Sequence, residues 1–274
     1  MARTSNANHV AKRNSSVWSA LGSGVNSKVD ALAVSGSSLY VGGGFTNAGG
    51  TSANQIARWN GSAWSPLQAG ALNSVVNALV ISGGDLYVVG VFSVVRGSGA
   101  NYITKWNGSG WSALGSGLNG LVNALAVSGS NVYVGDNFTR AGGNIATNVA
   151  MWNGSAWSGL GFGVDDVVYA LAPSESDLLY VGGYFTTAGG KLAAHVAMAY
   201  IRVVPVFTSI VPNPSGTQAR LTFTSDPVAS FYLLSLTNLT TWQTNSTVNA
   251  TGVTNSVSVN LAQPKEFFRL RRLP

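Results

Sequence analysis

Cysteine is absent from the sequence of 274 residues, which excludes disulfides, thiolate nucleophiles and cysteine-ligated metal sites. Charged residues are scarce, at 9 %, where a typical soluble domain has about a quarter. The net charge of +6 follows from the shortage of acidic residues, because the basic residues are scattered except at Arg269, Arg271 and Arg272. We therefore expect no nucleic-acid partner. We also expect no transmembrane segment, since no apolar run has the length that crosses a bilayer.

The first sixteen residues lack the apolar stretch of a signal peptide. Two interpretations follow: an intracellular protein, or the mature or truncated form of a secreted one. Surface polarity must come from Ser, Thr, Asn and Gly, because charge is so scarce. This composition favours an extracellular or cell-surface location.

Aromatic residues recur at a fixed step, which indicates internal repeats. Tryptophan returns every 46 or 47 residues, at Trp18, Trp64, Trp111 and Trp157. Tyrosine keeps the same step at Tyr40, Tyr87, Tyr133 and Tyr180, and phenylalanine keeps it at Phe45, Phe92, Phe138 and Phe185. Four copies therefore occupy about residues 7–193.

Each copy predicts four short strands. In the third copy these are 122–127, 132–135, 149–152 and 156–160, with a glycine-rich loop at 140–144. Asn-Gly between the last two strands predicts a type I′ hairpin turn, which needs positive φ at both residues. The first copy has Asn14-Ser15 at that point, and we expect a small conformational penalty there.

The order of these strands resembles the Kelch and galactose-oxidase type of β-propeller repeat, as found in large bacterial secreted proteins. The resemblance lies in Leu39–Gly43, Leu179–Gly183 and the downstream Trp64, Trp111 and Trp157. Copies two and three depart from it, with Val89-Gly90 and Gly135-Asp136 in place of the double glycine. The resemblance implies a fold but no activity.

We therefore predict an all-β protein: a small β-propeller, four-bladed by this count of copies, in residues 1–204, followed by a small β-sandwich in residues 205–274. The second unit alternates polar and apolar residues, and its segments Tyr232–Trp242 and Phe268–Leu270 resemble a C-terminal module attached to such repeat arrays. We expect the N-terminal segment His9–Leu21 to complete the blade begun by 167–185. The alternatives are that two copies pair into an eight-bladed ring, or that free strand edges add to a neighbouring molecule.

Catalytic and metal-binding sites find little support. The two histidines, His9 and His195, lack the companions that a metal site needs. Asp165 and Asp166 are adjacent and would point to opposite faces of a strand, which does not suit glycoside hydrolysis. We expect no enzyme activity, no metal and no cofactor.

A ring of polar residues near the propeller axis is the candidate ligand site. It comprises the loop residues Asn26, Asn73, Asn119 and Asp165, and the residues at the mouths of the inner strands, Asp30, Asn77, Asn123 and Tyr169. The alternative is that these side chains cap loops. Arg96 and Arg140, placed at matching positions of the glycine-rich loops, are candidates for an anionic polymer.

The sequence therefore predicts a non-enzymatic, secreted or cell-surface binding or adhesion module that acts through propeller loops. Its partners would be an extracellular polysaccharide or protein, or other copies of itself. The alternatives are a structural subunit of a self-assembling surface layer or fibre and, more weakly, a carbohydrate-active enzyme.

Overall fold

The computed structural model describes residues 7–68, 72–95, 98–174, 178–201, 206–212, 218–224, 230–236, 243–249, 254–260 and 267–272. The regular elements in these residues are all β-strands, and their pairing is antiparallel. The all-β prediction is thus confirmed. This part of the chain holds no helix long and apolar enough to cross a membrane. Two compact units divide the chain between Ala199 and Tyr200, whereas the sequence placed the division at residue 204.

Four consecutive sheets make up most of the first unit, and we name them sheets I to IV. Their strands, named a to d, follow chain order across each sheet. Sheet I contains Val29–Ser35, Ser38–Gly43, Ile56–Trp59 and Trp64–Pro66. Sheet II contains Val76–Ser82, Asp85–Gly90, Ile103–Trp106 and Trp111–Ala113. Sheet III contains Leu121–Ser128, Asn131–Asn137, Val149–Trp152 and Trp157–Gly159. Sheet IV contains only Val168–Pro173, Leu178–Gly183 and Val196–Tyr200.

Each sheet packs against the next along the chain through its strand a. Small side chains such as Ala31 and Ala124 lie buried in these strands, so neighbouring sheets can approach closely. Strand b supplies the centre of each core, because residues such as Val41 and Val88 are fully buried. The core is therefore a series of layers between adjacent sheets.

A two-stranded ribbon connects strands b and c of each sheet. The four ribbons are Asn47–Ala48 with Thr51–Ser52, Val94–Val95 with Ser98–Gly99, Arg140–Ala141 with Asn144–Ile145, and Thr187–Ala188 with Lys191–Leu192. They form the rim loops of the array.

The repeated tryptophans hold strands c and d to the rest of the fold. Trp59 and Trp64 stack with ring centroids 5.4 Å apart, and the indole Nε1 of Trp64 donates to the carbonyl of Leu21 at 2.7 Å. Sheets II and III repeat both contacts. Trp59 and Trp157 are buried, so these residues act in packing, as expected of large aromatic side chains.

The N-terminal hairpin, Ala11–Asn14 and Val17–Ala20, forms a sheet of its own. Val10 and Leu21 beside it are buried in a cluster with Trp59 of sheet I. The sequence predicted that this segment completes the fourth sheet, but strand c there is Val196–Tyr200. A local strand closes a much shorter loop than the N-terminus would, so its pairing costs less chain entropy.

The Asn-Gly turns differ from the type I′ prediction. Trp59 pairs with Trp64, so the loop has four residues rather than two. Gly61 has a φ of +101°, but Asn60 is not among the described residues with positive φ. Instead, Asn60 Oδ1 accepts from the amides of Ser62 and Ala63 at 3.0 and 2.8 Å. The asparagine is therefore selected for its side-chain hydrogen bonds, which compact such a turn.

The second unit contains two three-stranded sheets. The first orders Val206–Pro212, Gln218–Thr224 and Thr254–Asn260. The second orders Gln243–Asn249, Ser230–Leu236 and Phe267–Arg272. Leu221 and Phe223, on the central strand of the first sheet, are fully buried.

Candidate functional site

The predicted loop residues Asn26, Asn73, Asn119 and Asp165 all fasten the ribbon of their own copy. Asn26 Oδ1 accepts from the amides of Thr46 and Asn47, both at 2.9 Å, and its Nδ2 donates to the Thr46 hydroxyl at 3.0 Å. Asn73 and Asn119 make the same set of bonds. Their side-chain polar atoms are thereby engaged within the loop, as the capping alternative supposed.

Asp165 makes the equivalent bonds with Thr186 and Thr187, at 2.8 Å each. The amide of Thr187 is the main cause that lowers the pKa of this exposed carboxyl to about 2, and the hydroxyl and amide of Thr186 add to it. Because the charged form is the one that is hydrogen-bonded, Asp165 serves the loop as an anion.

The predicted mouth residues are only partly brought together. Asn77 Nδ2 donates to Asn123 Oδ1 at 2.7 Å and to the carbonyl of Val122 at 3.0 Å, so this carboxamide links sheets II and III. Asp30 instead forms an ion pair with Lys28. Tyr169 is exposed and packs edge-on against Tyr184, with ring centroids 5.5 Å apart. Of the four predicted mouth residues, only Asn77 and Asn123 therefore contact each other, between sheets II and III, and Asp30 and Tyr169 lie apart.

The structure corrects the prediction that Arg96 and Arg140 occupy matching positions. Arg140 pairs with Ile145 in its ribbon, and the residue in that register in the second copy is Val94, which pairs with Gly99. Arg140 thus corresponds to Val94 and not to Arg96, which lies outside the described residues. Arg140 Nη1 donates to the carbonyl of Gly143 at 2.9 Å, a contact within its own loop.

Asp136 is a buried acid that sequence reasoning did not propose as a site residue. It is 2 % exposed, and its Oδ2 has no hydrogen-bond partner in the described part of the chain. This burial raises its pKa from 3.8 to about 6. The other copies have glycine here, and in sheet II a Cβ at Gly90 would lie 2.1 Å from the carbonyl oxygen of Val75. Asp136 keeps the same register, opposite Val122 of strand a, as Gly90 does opposite Val76.

A cleft of about 520 Å³ lies beside the outer hairpin of sheet II. One wall comes from the ribbon, through Val95, Gly99 and Ala100, and the other from Trp111 and Ser112. Thr104 and Ser109 add hydroxyl groups to the lining. Among the described residues, the lining includes no acidic, basic or histidine side chain, and Arg96 and Gly97 of the same ribbon lie outside the described residues. Its volume falls in the range of small-ligand sites, and we name it the rim cleft.

The rim cleft occurs in the copy whose ribbon lacks a key glycine. In sheets I and III the ribbon approaches the outer tryptophan so closely that a Cβ on Gly49 or Gly142 would lie 2.7 or 2.8 Å from the indole Cδ1. The ribbon register aligns both glycines with Arg96. Arg96 itself lies outside the described residues, but an arginine at this register is the sequence signal that marks the second copy.

The chemistry available at the rim cleft is hydrogen bonding and aromatic contact. Trp111 offers an apolar ring, and its Nε1 is held by the carbonyl of Leu67 at 3.1 Å. Thr104 donates to the carbonyl of Ser112 at 3.0 Å, which fixes the floor of the cleft. Among the described residues, no group of three or more His, Asp or Glu lies together as metal ligands would.

Comparisons with family models and curated proteins identify no relative with a known function. No protein-family model matches the sequence, and no curated protein matches it significantly. Among solved structures, the crystal structure of the computationally designed Ika4 protein is similar, with a TM-score of 0.42 and 19 % identity. The match covers 65 % of this chain and 94 % of that one.

Proposed function

We propose that sheets I to IV are blades of a Kelch-like β-propeller, that the second unit is a β-sandwich, and that the protein is a non-enzymatic binding module of the cell exterior. Antiparallel sheets of up to four strands that pack through their first strands support the propeller assignment. The low charge supports the extracellular setting.

The rim cleft is the observation that carries the binding role. It is large enough for a short ligand segment and lies at a ribbon on the rim, where loops of repeat folds are free to vary. The loop asparagines, by contrast, use their polar atoms to hold the ribbons. Binding therefore takes place at the rim of sheet II, away from the predicted polar ring.

An uncharged polysaccharide is the ligand class that fits this lining. Sugar rings present C–H faces that suit the indole of Trp111 and hydroxyl groups that suit Ser109 and Ser112. The described residues of the lining offer uncharged hydroxyl and aromatic groups to such a ligand.

The test is a screen of neutral oligosaccharides by glycan array, followed by titration calorimetry of each hit. Ser112 is exposed at the edge of the cleft, so Ser112→Arg fills the site without disturbing the core. We expect this change to weaken binding at least tenfold. Ser158→Arg is the matched control, because Ser158 occupies the same position in strand d of sheet III.

Two results would contradict the proposal. One is an array without hits for the folded protein. The other is an affinity that falls equally in the two arginine variants, because the loss would then not depend on the rim cleft.

A further inference from the structure

The N-terminal hairpin takes the place of strands c and d of a sheet that would precede sheet I. The amide of Val25 donates to the carbonyl of Asn8 at 3.2 Å, as Leu118 does to Asn101 at 3.1 Å between sheets II and III. His9 has a φ of +64°, matching the residue that precedes strand c in the other copies. Leu21 accepts from the Trp64 indole as Leu67 and Leu114 accept from theirs.

The described residues include no strands a and b for that preceding sheet, and strand a of sheet I is exposed there. Leu32 and Val34 of strand a are 55 % and 67 % exposed. Their equivalents in sheet II, Leu79 and Ile81, pack in one cluster with residues of sheet I. The equivalents in sheet III pack in the same way with Tyr87, Val89 and Ile103 of sheet II. We name the uncovered surface of sheet I the head face.

Sheet IV has the complementary surface uncovered. Tyr180 and Val196 are 45 % and 66 % exposed, whereas Tyr133 and Val149, at the same positions of sheet III, are 1 % and 3 % exposed. Met198 on the same strand is exposed as well. We name this surface the tail face. The head and tail faces are thus equivalent to the two surfaces that contact each other wherever successive sheets of this chain pack together.

Ala11–Asn14 also has a free edge. It pairs with Val17–Ala20 on one side, and no strand pairs with its other edge in the described residues. A strand c in this position pairs with strand b in sheets I, II and III. A free edge of this kind attracts a further strand.

We propose that sheet IV of a second copy of this chain supplies strands a and b to the N-terminal hairpin, so that two copies join head to tail. The contact covers the head face of one copy with the shared sheet, in which strands a and b, including Tyr180 of the tail face, come from the other copy. When both ends join, two copies close into a ring of eight sheets, with three complete sheets and one shared sheet from each copy.

The register of the shared sheet follows from the complete ones. Tyr40 pairs with Arg58 in sheet I, and Tyr87 pairs with Lys105 in sheet II. The equivalent pair in the shared sheet is Tyr180 with Lys12 of the other copy.

Joining requires an exchange of strands. In the single chain, Val196–Tyr200 already pairs with the edge of strand b of sheet IV, which the hairpin of the other copy would take over. One strand replaces another at the same edge, so the number of backbone hydrogen bonds is conserved. Leu32 and Val34 of the head face and Tyr180 of the tail face are then removed from water, which favours the joined form. Val196 and Met198 leave the sheet with the displaced strand. The hairpin strand and Val196 are exposed in the single chain, so little packing opposes the exchange.

The absence of cysteine allows a direct test by cross-linking. We would prepare full chains with Lys12→Cys or Tyr180→Cys, both at exposed positions, mix them and oxidise gently. Opposed residues on paired strands lie close enough for a disulfide. We expect a covalent two-chain product from the mixture and none from either variant alone. Ile145→Cys, exposed on the ribbon of sheet III, replaces Tyr180→Cys as the control and should give no product.

Native mass spectrometry of the unmodified chain provides the second measurement, with two chains per particle expected at micromolar concentration. A single-chain mass at 100 µM, or no product from the mixture, overturns the proposal. So does a disulfide formed within one chain that carries both Lys12→Cys and Tyr180→Cys, because that result means closure without a second copy. Masses of three, four and more chains per particle would contradict a ring closed by two copies.

Discussion

At the scale of single residues, Asp136 is the least expected side chain in the first unit. Strand b of sheet III buries its carboxyl group where the other copies have glycine. A buried carboxylate without a partner is costly, and the group responds by holding its proton to higher pH. The pKa of about 6 therefore marks a local loss of stability near neutral pH.

The stability of the protein should consequently depend on pH between about 4 and 6. The folded state keeps the Asp136 proton that the unfolded state, with a pKa of 3.8, has already released. The contribution of Asp136 to the free energy of unfolding is then fully present below pH 4 and is lost as pH rises through 6, a change of about 1–3 kcal/mol. Urea unfolding at pH 4.5 and pH 7.5 measures the difference.

Asp136→Asn is the control for this dependence, because it keeps the shape of the side chain and removes its titration. If this variant shows the same decrease between pH 4.5 and pH 7.5, another group is responsible.

At the scale of elements, the four-residue turns between strands c and d show how local chemistry fixes a hairpin. Asn60, Asn107 and Asn153 each accept from two amides of their own turn. The glycine that follows adopts positive φ, +101° at Gly61. In the N-terminal hairpin this place belongs to Ser15, at a φ of +43°. A side chain in this region is strained, and this φ is the geometry for which the penalty is expected.

Ser15→Gly should therefore stabilise the N-terminal hairpin by about 0.5–1 kcal/mol. Hydrogen exchange of the amides in Ala11–Asn14 reports the opening of this hairpin alone. The matched reverse change is Gly61→Ser in sheet I, which should destabilise its turn by a similar amount. If the amides of Ala11–Asn14 exchange faster in Ser15→Gly than in the unmodified chain, the positive φ of Ser15 does not destabilise the hairpin.

At the scale of the whole molecule, stability should be graded along the array. Sheets II and III are covered on both faces by their neighbours, whereas the head face of sheet I and the tail face of sheet IV are open. Arrays of this kind derive stability from contacts between nearest neighbours. The ends therefore open at lower free energy than the middle.

Hydrogen exchange with mass spectrometry should show this gradient in dilute solution. We expect the slowest exchange in Asp85–Gly90 and Asn131–Asn137, and the fastest among the sheet strands in Val196–Tyr200. Equal protection of strands b and c in all four sheets would mean that the array is covered at both ends under those conditions.

The sequence alone determined the all-β class, most strands of each copy and the spacing of the tryptophans, which pack in pairs in sheets I to III although Trp18 is 67 % exposed. These depend on patterns repeated every 46 or 47 residues, each of which acts through nearby chain. It did not reveal the four-residue turns, because Asn-Gly satisfies two different geometries. The sequence also did not show which polar side chains are engaged in hydrogen bonds within a loop, as Asn119 is, and which are available to bind a ligand.

Only the tertiary structure decided how the repeats end. Whether Ala11–Asn14 or Val196–Tyr200 lies beside Leu178–Gly183 is a competition between identical pairing patterns. Within one chain, loop closure favours the nearby strand Val196–Tyr200, and the repeat pattern does not show how far apart in space the two ends lie. The rim cleft has the same origin, because it depends on how far one ribbon can approach Trp111. Local pattern fixed the sheets, and contacts between distant parts of the chain fixed their exposed surfaces.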